Sequence, residues 1–191
     1  RLMHITFAIP TFNSSKTIMA VLDALRHQDM IPNVLVMDNG STDGTFEMLK
    51  TAKENGWFKG LNLKLEQIPR VQGGPKKNIP YARYKLCQAV ETEYVLLLDS
   101  DVLLPPHATE PLFNMFDEDD KLAVAGIRVD PVVEHVQFGC ALMRASLARK
   151  IKWRNTHQCE CLNAAEDIKA IGPELKIERH SSLQARHIRF L

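Results

Sequence analysis

The alternation of strand-like and helix-like segments along this 191-residue chain predicts an α/β fold, with an open, mostly parallel central sheet covered by helices on both faces. Three observations carry the prediction. Short apolar runs alternate with segments whose apolar residues fall at helical spacing. The run YVLLLD (94–99) is apolar up to its final Asp, as a parallel strand buried on both faces should be. The strand-like runs also end in polar residues, at Pro10-Thr11-Phe12-Asn13, Asp38 and Asp99. Ligands of open parallel sheets bind beyond such carboxyl ends.

In chain order, HITFAIP (4–10) is the first strand and SKTIMAVLDALRHQ (15–28) the first helix, with Ser14 or Ser15 as its cap. NVLVMD (33–38) is the second strand, closed by the turn-rich NGSTDG. TFEMLKTAKEN then reads as a helix ended by Gly56. LNLKLEQI (61–68) alternates as a third strand. Beyond the polar QGGPKKN, the residues Tyr81, Tyr84, Leu86 and Val90 mark a helix in IPYARYKLCQAVE, and YVLLLD is the fourth strand. The second half is less regular. HATEPLFNMFDEDD reads as a helix, and KLAVAGIRV and VQFGCALMRASL as strands about a linker with Pro131, Val132 and Val133. NAAEDIKAIGPE holds a short helix stopped by Gly172-Pro173, and LKIERHSSLQARHIRFL begins as an edge strand and ends as a basic tail. Nothing divides the chain, so 1–191 reads as one domain.

Composition excludes several classes. Lys plus Arg number 24 against 23 for Asp plus Glu, so no global field draws the protein to nucleic acid or to an anionic membrane. No apolar run reaches the length of a membrane span. Arg1-Leu2-Met3 leads straight into strand-like sequence without a signal-peptide pattern, and the missing initiator Met leaves room for a longer gene product. Four cysteines are too few for a disulfide scaffold, which points to a reducing, cytoplasmic setting. His157, Cys159 and Cys161 are metal-ligand residue types. A structural zinc site wants two spaced pairs, however, and no second pair follows, so ordinary thiols are expected there.

The acids Asp99 and Asp101 sit in the greasiest run of the chain, YVLLLDSDVLLP. An unpaired buried carboxylate is costly, so either the strand stops at Asp99 or something positive lies beside it. Two carboxylates on a tightening turn can present oxygens to one hard divalent cation, which would in turn attract phosphate.

YVLLLDSDVLLPP resembles the strand and DxD element of GT-A fold glycosyltransferases, especially glycosyltransferase family 2. Other segments fall in that family's order: FAIPTFNSSKTI, VLVMDNGSTDGT, KKNIPYARYKLCQAV, FGCALMRASLARKI and NAAEDIKAIG, from about residue 4 to residue 172. The compactness is similar to that of a minimal GT-A enzyme from a virus of hyperthermophilic archaea, which would place the protein in a host cytoplasm. The resemblance implies a nucleotide-binding half over about 1–104 and an acceptor half over about 105–191. It implies a metal-dependent, inverting, non-processive transfer from a nucleotide-diphosphate sugar to a glycan, protein or lipid hydroxyl. Pro10, Thr11 and Asn13 would line the nucleoside pocket, Asp38 would bond the base, and Arg83 would face the diphosphate. Asp99 would touch the ribose or a metal water, Asp101 would ligate Mn²⁺ or Mg²⁺, and Asp167 would be the general base.

Three departures stand out. Asn39 replaces the second Asp of the family's DD pair, and Tyr84 replaces the Asn after its AR. Gln184-Ala185-Arg186-His187 lacks the Trp of the processive Q-x-x-R-W motif. Other readings stay open for single residues: Arg83 as a solvated helix face, Ser41 and Asp43 as turn and cap residues, and Lys76 and Lys77 as loop guides for diphosphate. Trp153 is either core or an acceptor platform, and His180 or His187 could complete the metal shell from the tail. A sugar-1-phosphate nucleotidyltransferase would want a glycine-rich loop where PTFNSS stands, and a haloacid-dehalogenase-like phosphatase would carry its D-x-D after the first strand. A non-catalytic nucleotide-binding module would have no use for Asp167.

Overall fold

The computed structural model describes residues 4–131, 133–156 and 159–188. Eight strands form one sheet in the order β3-β2-β1-β4-β7-β6-β8-β5. The first half follows the predicted alternation: β1 (Ile5–Thr11), α1 (Ile18–Ala24), β2 (Asn33–Asp38), α2 (Thr45–Glu54), β3 (Asn62–Gln67), α3 (Pro75–Ala89) and β4 (Tyr94–Leu98). All pairings among β1 to β4 are parallel. The second half comprises β5 (Val102–Leu103), α4 (Thr109–Glu118), β6 (Leu122–Val129), β7 (Cys140–Arg144), α5 (Ala145–Ala148), α6 (Glu160–Ile171) and β8 (Lys176–His187). There β7 runs antiparallel to β4 and β6, while β8 runs parallel to β6 and antiparallel to β5.

Period-two alternation divides each central strand between two cores. Ile5, Phe7 and Ile9 of β1 pack with Leu96 and Leu98 under α1, α2 and α4, through Leu22, Leu49 and Phe113. Ala8, Leu35, Val95 and Leu97 point to the other face, against Leu86 and Cys87 of α3 and Ala164 and Ile168 of α6. Helices therefore cover both faces. Cys87 and Cys140 are fully buried, and burial pushes the Cys87 thiol up to about 12. No helix among the described residues is long and apolar enough to cross a membrane.

Several boundaries differ from the sequence reading. The first helix is shorter, beginning after Thr17 and closing in a 3₁₀ turn over 25–27, and neither Ser14 nor Ser15 caps it with a side chain. Instead the Ser14 carbonyl accepts from the Thr17 and Ile18 amides, and its hydroxyl meets that of Ser100, 2.7 Å away. The α3 helix starts at Pro75 rather than Ile79, because Pro is well suited to a first helical turn whose amide needs no partner. Lys76 and Lys77 accordingly lie on a helix rather than a loop. Residues 145–147 leave the predicted strand for α5. The predicted basic tail is strand through His187.

Asp43 does hold the entrance of α2, as expected, by accepting hydrogen bonds from the backbone amides of Ser15 and Thr45. Burial alone would raise its pKa, but the bonds from Thr45 and Ser15 outweigh it and hold the carboxyl down at about 2. A depressed carboxyl stabilises the fold above its unfolded pKa and loses that contribution as pH falls through the folded value. Asp43→Ala should cost about 1 kcal/mol near neutrality. The gap between mutant and wild-type melting temperatures should close as pH falls from about 4 towards 2. An unchanged gap across that window would remove the ionised carboxylate as the cause.

Candidate active site

Beyond the carboxyl ends of β1, β2 and β4 lies a cleft of about 270 Å³, lined by Pro10, Thr11, Phe12, Asn39, Arg70, Arg83, Asp99, Ser100, Asp101 and Glu160 among others. Its floor is the Asp99-Ser100-Asp101 turn between β4 and β5. The Asp99 amide donates to the Gly139 carbonyl at 2.8 Å, which anchors the turn to the residue before β7. Gly139 has to be small: a Cβ there would fall 2.0 Å from Asp99 Oδ2.

Arg83 Nη2 lies 3.0 Å from Asp99 Oδ1, and Arg83 Nη1 lies 3.1 Å from Glu160 Oε1. Arg83 is only 3% exposed, so its helix face is not the solvated one. Burial alone would lower its pKa, but the adjacent Asp99, Cys161 and Glu160 charges prevail and raise it. Asp101 has a different partner. His187 Nε2, at the end of β8, stands 2.8 Å from Asp101 Oδ2, and the Ile188 amide donates to the Asp101 carbonyl. Of the two tail histidines, His187 is the one that reaches the acids. His180 instead accepts from the Ser182 and Leu183 amides.

Arg83→Ala would strand two carboxylates around an empty, largely buried space. The sequence reading of a surface-facing charge that contributes little to the core is thereby corrected. The expected result is a loss of about 3 kcal/mol of stability, the lower end for breaking a buried pair because Asp99 is partly solvated. Calorimetric unfolding would measure it, and an unaltered melting temperature would make the pair energetically idle.

Other sequence-predicted residues occupy different positions. Pro10 and Thr11 line the cleft, but Asn13 lies in an adjoining recess with Ser15, Lys16 and Asp43. Asn13 has φ +52, and its Oδ1 accepts from the Thr42 amide, tying the loop after β1 to the loop after β2. Asp38 is fully enclosed. Register explains why: Thr11, Asp38 and Gln67 are aligned across β1, β2 and β3. The carboxylate accepts from Thr11 Oγ1, Gln67 Nε2, and the Ser41 amide and hydroxyl. It organises the loop instead of offering a free oxygen to a base, and Asn39 is the neighbour that faces the cleft.

Asp167 lies away from the cleft. It sits on the same face of α6 as Glu160 but seven residues on, two helical turns or about 10 Å further from the cleft. Its oxygens accept from the Lys152 amide at 3.0 Å and from Arg154. It is 7% exposed and does not line the cleft. The acid that does so from α6 is Glu160, which the sequence reading passed over in favour of the more obvious Glu-Asp pair. Arg70 was missed too. Its guanidinium lies 3.6 Å from the centroid of the Phe12 ring at the cleft wall, and nothing in VQGGPKKN or its surroundings marks it. Trp153 is core: it is 4% exposed and donates Nε1–H to the Ala148 carbonyl.

Residues 6–161 match the sequence profile of glycosyl transferase family 2. The chain belongs to that family. The match ends at Cys161, on the first turn of α6 and short of Asp167. Over 120 residues the chain is 34% identical to the poly(ribitol-phosphate) β-N-acetylglucosaminyltransferase TarS of Staphylococcus aureus, covering 61% of this chain and 19% of TarS. It thus spans about a fifth of that relative's length. A crystal structure of S. aureus TarS 1–349 in complex with UDP-GlcNAc matches with a TM-score of 0.70 and 21% identity, over 99% of this chain and 60% of that one. The mannosyltransferase PcManGT of Pyrobaculum calidifontis, in complex with GDP-Man and Mn²⁺, matches with a TM-score of 0.74 and 19% identity, over 96% of this chain and 56% of its own. The fold is the GT-A fold of this family.

Proposed function

We propose that the protein moves a sugar from a nucleoside-diphosphate donor to an acceptor hydroxyl, with inversion and one residue at a time. The observation that carries this is the convergence of Arg83, Asp99, Asp101 and His187 on one end of the cleft, with Glu160 beside them. A buried guanidinium at the cleft wall can meet diphosphate oxygens that water would otherwise solvate. Phe12 and Arg70 offer a flat, polarisable wall to the nucleoside, near the amide of Asn39.

The residues present suit a divalent cation. Asp101 Oδ2 and His187 Nε2 would hold it, with Asp99, paired to Arg83, two residues earlier in the same turn. An imidazole in the set favours Mn²⁺ over Mg²⁺, which prefers oxygen alone. Once bound, such an ion would stabilise the charge that develops on the leaving diphosphate. Glu160 is placed to take the acceptor proton, in the role the sequence reading gave to Asp167. The strand character of Gln184-Ala185-Arg186-His187 supports the non-processive reading, because that segment is committed to the sheet and the site.

The first experiment is a thermal-shift screen of UDP- and GDP-sugars with and without Mn²⁺, led by UDP-GlcNAc and GDP-mannose. A ligand at 100 times its dissociation constant should stabilise the fold by about 2.7 kcal/mol. No shift with any nucleotide sugar, in either buffer, would overturn the proposal.

A further inference from the structure

A second constellation adjoins the cleft through Cys161, whose Sγ lies 4.0 Å from Arg83 Nη1. His135, Cys159 and Cys161 place one ligand atom each within 4.8 Å of one another, and Cys159 Sγ stands 3.3 Å from His135 Nε2. Cys159 and Cys161 flank Glu160 at the start of α6, whereas His135 comes from the loop between β6 and β7. The sequence reading lacked His135, which stands well upstream of both cysteines. The His157 it considered instead lies outside the described residues.

We propose that His135, Cys159 and Cys161 form a zinc site that pins the first turn of α6 to the β6–β7 loop. The geometry fits the metal. Tetrahedral zinc with Zn–S near 2.3 Å and Zn–N near 2.05 Å puts sulfur and nitrogen about 3.6 Å apart and two sulfurs about 3.8 Å apart. The three ligand atoms already lie within that range to a few tenths of an ångström for the sulfur–imidazole pair, and closely enough for the rest to close on an ion. Soft thiolates with imidazole select zinc, and they are the reverse of the carboxylate-rich set in the cleft.

The surroundings fit as well. Cys161 Sγ accepts from the Phe138 amide at 3.3 Å and from Arg83 Nη1 at 4.0 Å, so donors already orient the sulfur. Two thiolates and a neutral imidazole leave the zinc complex without net charge, which suits a half-buried position. An entry path exists: His135 lines a surface recess with Glu134, Val136, Phe138, Ala165, Ile177 and Arg179. The fourth position is left for water or an added ligand.

Consequences for the cleft follow from connectivity. Glu160 lies between the two sulfur ligands in sequence, and it also holds Arg83. Zinc would therefore fix the carboxylate that faces the cleft without touching the donor itself.

The test uses the untagged full chain, purified without added metal. Elemental analysis should find about one zinc per chain. Cobalt substituted for it should give the intense near-ultraviolet thiolate charge-transfer band and tetrahedral visible bands. His135→Ala should weaken zinc binding by at least about 100-fold, more than the loss of a merely supporting partner does. Cys159→Ser should remove the charge-transfer intensity of one sulfur, and Asp101→Ala should leave the zinc in place. Where a variant fails to fold, wild type read alone suffices: a chelator should lower its melting temperature, and zinc should restore it. The proposal is overturned by a metal-free chain that yields no cobalt band when titrated. It is equally overturned by zinc that survives His135→Ala and Cys159→Ser together, or by thiol titration that shows Cys159 and Cys161 joined as a disulfide.

Discussion

Asp101→Ala should make nucleoside-diphosphate binding indifferent to Mn²⁺. In the wild-type chain the cleft presents Asp99, Asp101 and Glu160 to a polyanion, with one guanidinium already shared between two of them. Without a cation, like charges oppose the ligand. With one, the Asp101–His187 pair supplies an oxygen and a nitrogen to the ion, which then carries the attraction. Removing either partner should lower apparent Mn²⁺ affinity at least about 100-fold, beyond the effect of losing an outer-shell group. His187→Ala should therefore behave as Asp101→Ala does, although the two residues are far apart in the sequence and meet only through the pairing of β5 with β8. Titration calorimetry of UDP and GDP with added Mn²⁺ reads this directly. Equal affinities with and without the ion in wild type would sink the metal assignment.

The second large effect separates two acids on one helix. Glu160→Gln should leave donor affinity nearly intact and slow transfer by about 10²–10⁴-fold, the usual scale for losing a general base. Asp167→Asn should do the opposite. Its partners are the Lys152 amide and Arg154, so the cost should appear in stability, at about 1–3 kcal/mol for impaired buried hydrogen bonds, while turnover changes little. Release of nucleoside diphosphate by donor hydrolysis supplies a rate that needs no acceptor, and donor affinity is measured on the same preparations. A slow Asp167→Asn protein with an unchanged melting temperature, alongside a fast Glu160→Gln protein, would return the catalytic role to Asp167.

How far the sequence could be read depends on range. The first four strands were legible because each is a local pattern: continuous branched residues in β1, β2 and β4, and alternation in β3. Asp99 and Asp101 were legible because two acids in an apolar run contradict the pattern around them. The two-residue β5 has no period to detect, and α5 follows β7 without a breaking residue. The site itself was readable only where its residues announce themselves. Glu160 pairs with Arg83, 77 residues earlier, and that separation leaves no trace in local composition. Asp38 was visible as a strand-end acid, yet its enclosure arises from cross-strand register with Thr11 and Gln67, which is a property of the assembled sheet.

The placement of β8 has a consequence for how activity arises during synthesis. By the time β4 has left the ribosome, the loops after β1 and β2 and the whole acidic turn through Asp101 can follow within a few residues, on a parallel sheet built from neighbouring segments. Glu160 and His187 are still untranslated. Because β8 must lie beside β6 and meet β5 before His187 reaches Asp101, the Asp101–His187 pair forms only when that strand docks. Such non-local pairing is slow relative to local folding. Until β8 docks, a nascent chain holds Asp99 and Asp101 side by side without the imidazole that meets Asp101 in the folded sheet.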